Sequence, residues 1–294
     1  MAASSAPAKG LRGIETPAEL SAELFEVRLR RLADDLLYGA DASRFFGAGV
    51  DYAQSRPFVM GDSVRSIDWR VTARTRRYHV REYEAPRRAA VYVVLDTSAS
   101  MCVGSTRPTK HDAGVWIAGV LGFSALRALR PVAVMSGGER AVGASPRMST
   151  GRIRGWLRDL APAALTEQTL LAERLDEIAR LAHSRSTVIV ISDFHQPEIP
   201  DALNKLAARH ECVAITLRDP IERRGHRAGW LRGVEAETGR RAVSFRGRPR
   251  SNAGQPRAEL SPAVDQLTLE TDGDIFGELR GFILARCQDG RGGR

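Results

Sequence analysis

From Val91 onward the chain alternates between short apolar runs and longer stretches with an apolar residue every three or four positions. The short runs are VYVVL at 91–95, PVAVM at 131–135, STVIVIS at 186–192, ECVAITL at 211–217 and DQLTLE at 265–270, most of them rich in β-branched residues. Their length and composition predict strands. Between them, Thr109 and Asp112 cap a helix that continues through Leu129. Further helices are predicted over 151–160, over 169–182 with Leu171, Leu175 and Ile178 on one face, over 201–210 and over 274–287. Strands alternating with helices predict an α/β fold, a wound, mostly parallel sheet with helices on both faces. Ser136-Gly137-Gly138 has the composition of a tight turn, so PVAVM and ERAVGA are expected to form an antiparallel hairpin.

The first ninety residues follow another pattern. Thr16-Pro17-Ala18-Glu19 combines a cap residue, a proline at the first helical position and a glutamate three residues after the cap, a helix start. Phe25, Leu29, Leu32 and Leu36 then recur at helical spacing. Residues 38–90 carry turn signals and an arginine-rich stretch, RVTARTRRYHVREYE, whose end alternates like a strand, which predicts a small, partly β subdomain. After Arg218-Asp219-Pro220 the α/β alternation breaks. WLRGVEAETGRRAVSF reads as a hairpin turning near Glu237-Thr238-Gly239, followed by a polar linker. The expected organisation is a disordered leader at 1–15, a helix and arginine-rich subdomain at 16–90, and an α/β domain at 91–287 with an excursion at about 218–262. A disordered tail at 288–294 completes it.

Composition narrows the functional classes. With 44 Lys+Arg against 35 Asp+Glu the chain carries a formal charge of +9. The basic residues are scattered, which reads as a solvated surface rather than a nucleic-acid footprint. Cys102, Cys212 and Cys287 show no paired spacing and suggest reduced thiols in a cytoplasmic protein. MAASSAPAKGLRG lacks the apolar stretch of a secretory signal. The longest apolar run, Ala113 to Leu126, is shorter than the roughly 20 residues a bilayer requires, so a buried helix is expected and no membrane segment.

The chemistry concentrates at the end of the first strand, where Asp96-Thr97-Ser98-Ala99-Ser100 follows VYVVL. In wound α/β sheets, ligands bind at the carboxyl ends of the strands near the point where strand order reverses. Asp-x-Ser-x-Ser supplies hard oxygens, which suit Mg²⁺, Mn²⁺ or Ca²⁺. STVIVIS ends at Asp193 in the same way, and Thr169 offers one more hydroxyl at a helix start. The candidate metal shell is therefore Asp96, Ser98, Ser100, Thr169 and Asp193. Such a shell leaves a coordination position open for a carboxylate from a partner. The competing reading is that Asp96 and Ser98 merely cap the following turn.

VVLDTSASM followed by Lys110 resembles the von Willebrand factor A domain, and the wider chain resembles the bacterial domain-of-unknown-function 58 family. The residues that carry this are GAGVDYAQSRPFVMGDSVRSIDWRVTARTRRYHVRE at 47–82, DTSASM at 96, ISDF at 191, RDPIE at 218 and EAETGR at 235. The resemblance implies a von Willebrand A-like domain that binds partners through a metal-ion-dependent adhesion site, often beside a MoxR-type AAA+ ATPase. Asp96, Ser98 and Ser100 match its first metal loop and Asp193 a later one. The middle-loop threonine is Thr169 or Thr166, because the usual preceding glycines are replaced by Thr166-Glu167-Gln168-Thr169. Longer relatives carry N-terminal transmembrane helices, so a soluble member is implied.

Arginines in SIDWRVTARTRRYHVREYE are interleaved with Trp69, Tyr78 and Tyr83. The preferred reading pairs them with Asp62, Asp68, Glu82 and Glu84 inside the subdomain. A second keeps Arg70 and Arg74 exposed as contacts for an acidic partner. Of the histidines, His195 lies close to Asp193 but reads as solvated. Ser98 lacks the GxSxG elbow of a nucleophile. The expectation is a non-enzymatic, metal-dependent adaptor for a MoxR-type ATPase or a carboxylate-bearing client. The alternatives are a haloacid-dehalogenase-like phosphohydrolase, which would need an acid where Ser98 stands, and a basic nucleic-acid-binding protein.

Overall fold

The computed structural model describes residues 17, 20–38, 45–46, 52–83, 89–143, 145–224, 231–234, 241–244 and 260–288. The expected leader and Glu84 of the arginine-rich stretch lie outside these residues, as do most of the polar linker and the expected tail except Gln288, which belongs to the last helix.

Five parallel strands form the centre: β3 (Val91–Leu95), β4 (Val132–Ser136), β5 (Thr187–Ser192), β6 (Glu211–Arg218) and β9 (Val264–Glu270), in the spatial order β4-β3-β5-β6-β9. Every residue of β3, β4 and β5 is buried, as expected of strands covered on both faces. Alternation sends Val91, Val93 and Leu95 into one core and Tyr92 and Val94 into the other. The first core is closed by α1 (Ala22–Leu37), α4 (Lys110–Arg127), α5 (Thr150–Leu160) and α9 (Ile275–Gln288). The second is closed by α6 (Leu171–Leu181) and α7 (Glu198–Ala207). Helix α4 is apolar on all sides because α1 covers the face that the sheet does not, and the cap expected from Thr109 and Asp112 is a full capping box. No described helix is long and apolar enough to cross a membrane.

A separate antiparallel pair, β1 (Tyr52–Pro57) and β2 (His79–Tyr83), frames a small lobe. Between the two strands lie a 3-10 turn (Val64–Ser66) and the short helix α2 (Trp69–Thr75). Strands β7 (Leu231–Val234) and β8 (Arg241–Ser244) pair antiparallel on either side of the turn expected near Thr238, which itself is outside the described residues. Two further short helices are α3 (Ala99–Cys102) and α8 (Pro220–Arg224).

Two expectations are corrected. Helix α1 begins at Ala22, where the Ser21 hydroxyl accepts from the Leu24 amide, and not at the Thr16-Pro17 signal. The hairpin expected between PVAVM and ERAVGA does not form. β4 pairs in parallel with β3, and residues 139–143 form no strand. The glycines after Ser136 serve close approach instead. A Cβ on Gly138 would run into the Glu167 carboxylate and the Thr97 hydroxyl, and one on Gly137 would stand 3.2 Å from the Asp96 Cα.

Candidate functional site

In the order β4-β3-β5 the chain moves from β3 out to β4 and then returns to the opposite side of β3. The strand order therefore reverses between β3 and β5. The carboxyl ends of these two strands carry Asp96 and Asp193, so the topology puts both acids at the switch point.

The Asp96 loop is held from both sides. The Asp96 amide donates to the Ile191 carbonyl at 2.9 Å. One carboxylate oxygen, Oδ1, accepts from the Ser98 amide at 3.0 Å, and Oδ2 accepts from the Ser192 hydroxyl at 2.6 Å. Ser98 begins α3, and its Oγ lies 3.1 Å from the Ser100 Oγ. Asp96 is 1 % exposed, yet among the described residues no cation is paired with it. Burial, reinforced by the negative charge of Asp193, pushes its carboxyl up to about 6.

Asp193 has the opposite surroundings. Lys110, the first residue of α4, places Nζ 2.7 Å from Asp193 Oδ2 and 2.7 Å from Glu222 Oε1 on α8. His195 Nδ1 approaches Asp193 Oδ1 at 2.8 Å. Burial opposes ionisation of Asp193, but the His195 hydrogen bond and the Lys110 ammonium outweigh it and hold the carboxyl well below the usual range. The bond to Asp193 raises the His195 imidazole in turn, so this histidine is more than a solvated loop residue.

Beside these lies a tether that joins the Asp96 loop to the segment before α6. Glu167 is buried, with Oε1 accepting from Thr97 Oγ1 at 2.7 Å and from the Arg140 amide at 3.2 Å. Its Oε2 accepts from Arg140 Nε at 2.8 Å. Arg140 Nη1 also donates to the Pro162 carbonyl at 2.7 Å.

Asp96, Ser98, Ser100 and Asp193 thus meet at one end of the sheet. Thr169 is half-buried and forms an antiparallel bridge to Gly138 beyond the end of β4, while Thr166 is exposed. Residues that sequence reasoning left out are Glu167, Arg140 and Glu222, and it gave Lys110 no role in the site. Lys110 did leave a signal, because a lysine in the first turn of an apolar helix opposes the helix dipole and calls for an anion nearby.

Among the described residues, no group of three or more His, Cys, Asp or Glu side chains is arranged to hold a metal ion. The Asp96 surroundings suit a hard cation: a buried carboxylate with no paired cation, two neighbouring hydroxyls and a second acid at the adjoining strand end.

In the lobe, the described side chains show one acid paired with an arginine inside the subdomain and another at a helix cap, while the side chains of Arg81 and Glu82 lie outside those described. Asp62 forms a two-pronged pair with Arg56 at 2.7 and 2.7 Å, and Asp68 caps α2 through the Arg70 and Val71 amides. Arg70 and Arg74 are exposed, with no ion pair among the described residues.

The family model described as "Protein of unknown function DUF58" matches residues 54–251, more than half of the chain, and the chain belongs to this family. Among curated proteins it is similar to the uncharacterized protein Mb1516 of Mycobacterium bovis and the uncharacterized protein Rv1480 of Mycobacterium tuberculosis. Each is 28 % identical over 299 residues, covering 95 % of this chain and 94 % of the relative.

Proposed function

We propose that the chain is a non-enzymatic, divalent-cation-dependent protein interaction module of the von Willebrand A-like type. It acts in the cytoplasm as an adaptor for a MoxR-type AAA+ ATPase in the assembly or maturation of other proteins. The wound α/β sheet is consistent with that fold type, and the partner class follows from the motif resemblance. The observation that carries the reading is Asp96, a buried carboxylate at the switch point, ringed by hydroxyls and paired with no cation among the described residues. Asp96, Ser98 and Ser100 would hold the ion with Asp193 behind them, and Thr169, the more buried of the two threonines, is the middle-loop donor. A bound Mg²⁺, Mn²⁺ or Ca²⁺ supplies a positive charge with an open position for a partner's carboxylate.

Lys110 sets how strongly this works. Its ammonium already neutralises Asp193, so the protein's own oxygens present little net negative charge to an incoming ion. Cation affinity rises with ligand charge. The isolated protein therefore binds the ion weakly, and a partner's carboxylate completes the site.

The test is a thermal-melt titration with Mg²⁺, Mn²⁺ and Ca²⁺ after EDTA treatment, beside Asp96→Ala. Stabilisation that grows with the logarithm of ion concentration and reaches about 2.7 kcal/mol at a hundred times Kd is expected for the native chain and none for the variant. Equal responses from both proteins, or no response from either, would remove the cation from the reading. Calorimetry with a purified MoxR-type ATPase tests the partner in the same way.

A further inference from the structure

The small lobe built on β1 and β2 carries an unusual outer surface. Thirteen large apolar side chains are exposed among the described residues, and five of them, Val59, Met60, Val64, Trp69 and Tyr78, fall between positions 59 and 78. Met60 is 98 % exposed and Trp69 61 %. The backbone groups several of them. Pro57 at the end of β1 stands opposite His79 at the start of β2, and the Phe58 amide donates to the Tyr78 carbonyl at 2.9 Å. The Val59-Met60 turn and Tyr78 therefore share one end of the ribbon. Helix α2 leads into the same end through Arg76, which takes a left-handed backbone conformation. Its Thr72 hydroxyl accepts from the His79 amide at 3.1 Å, leaving Trp69, Arg70 and Arg74 exposed.

Among the described side chains, the exposed charge on this surface is one-sided. Arg65, Arg70, Arg74, Arg76 and Arg77 are exposed, and none has an ion-pair partner among the described residues. The two acids of the lobe whose side chains are described are turned to internal tasks, Asp62 on Arg56 and Asp68 on the start of α2.

We infer that this lobe docks an acidic, amphipathic segment of a partner protein, with Trp69, Met60 and Tyr78 as apolar anchors and the five arginines facing its carboxylates. Trp, Tyr, Met and Arg are the residues enriched at the centres of protein interfaces, and Trp, Tyr and Arg dominate their energetics. Val59, Met60 and Val64 are aliphatic and offer no ring for a base to stack on, which favours protein over single-stranded nucleic acid. A second copy of this chain is a poor occupant, because each copy carries +9 and the arginine faces would repel. This contact needs no divalent ion, so it goes beyond the Asp96 site and stands apart from it.

The experiment uses a fluorescein-labelled synthetic helix with glutamates along one face and leucine and phenylalanine along the other. Anisotropy is read against the full chain at physiological salt in EDTA. Saturable binding is expected, weakened at least about tenfold by Arg70→Glu with Arg74→Glu and about tenfold by Trp69→Ala. Asp96→Ala should leave it unchanged, and a version of the peptide with lysine for glutamate should not bind. Because all three substituted lobe side chains are exposed, the variants keep the fold, which circular dichroism confirms. The inference is overturned by absent peptide binding, by Trp69→Ala binding as tightly as the native chain, by loss of binding in Asp96→Ala, or by single-stranded DNA displacing the peptide at equal concentration. Failure here leaves the cation titration at Asp96 untouched, and the converse also holds.

Discussion

Asp96→Asn should make the metal-free protein more stable, an uncommon outcome for a buried polar residue at the centre of a sheet. The shape is kept: the asparagine carbonyl accepts from the Ser98 amide, and its NH₂ donates to the Ser192 hydroxyl, which already accepts from the Phe194 amide at 2.9 Å. What changes is the charge. Burial and Asp193 raise the Asp96 carboxyl from an ordinary 3.8 to about 6. Each tenfold displacement of a proton equilibrium is worth about 1.4 kcal/mol, so keeping Asp96 ionised in the fold costs about 3 kcal/mol. The sign follows from the raised value. Below 3.8 the group is protonated in both states and costs nothing, and the penalty grows as pH rises and is complete above about 6. Allowing about 1 kcal/mol at every pH for imperfect amide geometry, Asp96→Asn should gain about 2 kcal/mol at pH 7.5 in EDTA, and the gain should all but vanish at pH 4.5, where the penalty itself has fallen to about 1 kcal/mol. Urea unfolding followed by tryptophan fluorescence measures both. Saturating Mg²⁺ should then close the gap by stabilising the native chain alone. A variant that is less stable than the native chain at pH 7.5, or a difference that ignores pH, would refute the reasoning.

Lys110→Met should destabilise the fold by about 3–5 kcal/mol in chemical denaturation, because it strands Asp193 without its ammonium. Adding Asp193→Asn should recover part of that loss. Gly138→Ala should cost about 1–3 kcal/mol as its methyl displaces Glu167 from Thr97, read as a lower melting temperature.

Much of the fold is local and was legible. Val91–Leu95, Thr187–Ser192 and Glu211–Arg218 announce themselves as short apolar runs, and the capping box of α4 is written in Thr109 and Asp112. The failures have physical causes. Ser136-Gly137-Gly138 has the composition of a turn, but glycine also permits backbone to approach backbone, and only the fold reveals which use applies. Thr16 and Ser21 both have cap chemistry, and the helix starts at the later one. In the site, Asp96 and the serines lie within one loop and can be read together. The partners that set its charge do not: Lys110 is 83 residues from Asp193 and 112 from Glu222, and Arg140 is 27 from Glu167. Periodicity carries no information about such pairs.

The chain is otherwise careful with buried charge. Glu167 is answered by Arg140, Asp193 by Lys110, and Glu211 and Asp265 by Arg286 at 3.1 and 2.9 Å. Asp219, as buried as Asp96 and also without an ion pair among the described residues, is answered by the Ser105 amide and hydroxyl and the Ile221 amide, which outweigh burial and hold its carboxyl below the ordinary value. Asp96 differs in that its hydrogen bonds do not offset burial and the charge of Asp193. A lysine that could have neutralised the switch point begins α4 against the helix dipole and is spent on Asp193 and Glu222, leaving the neighbouring carboxylate ionised only at a cost to stability. The lobe repeats the situation with opposite sign: of its described side chains, Asp62 is engaged by Arg56 and Asp68 by the start of α2, while five arginines are exposed. On the readings proposed above, a bound ion answers the first of these charges and a partner protein the second. This is why the cation titration and the acidic-peptide titration are aimed at these two places.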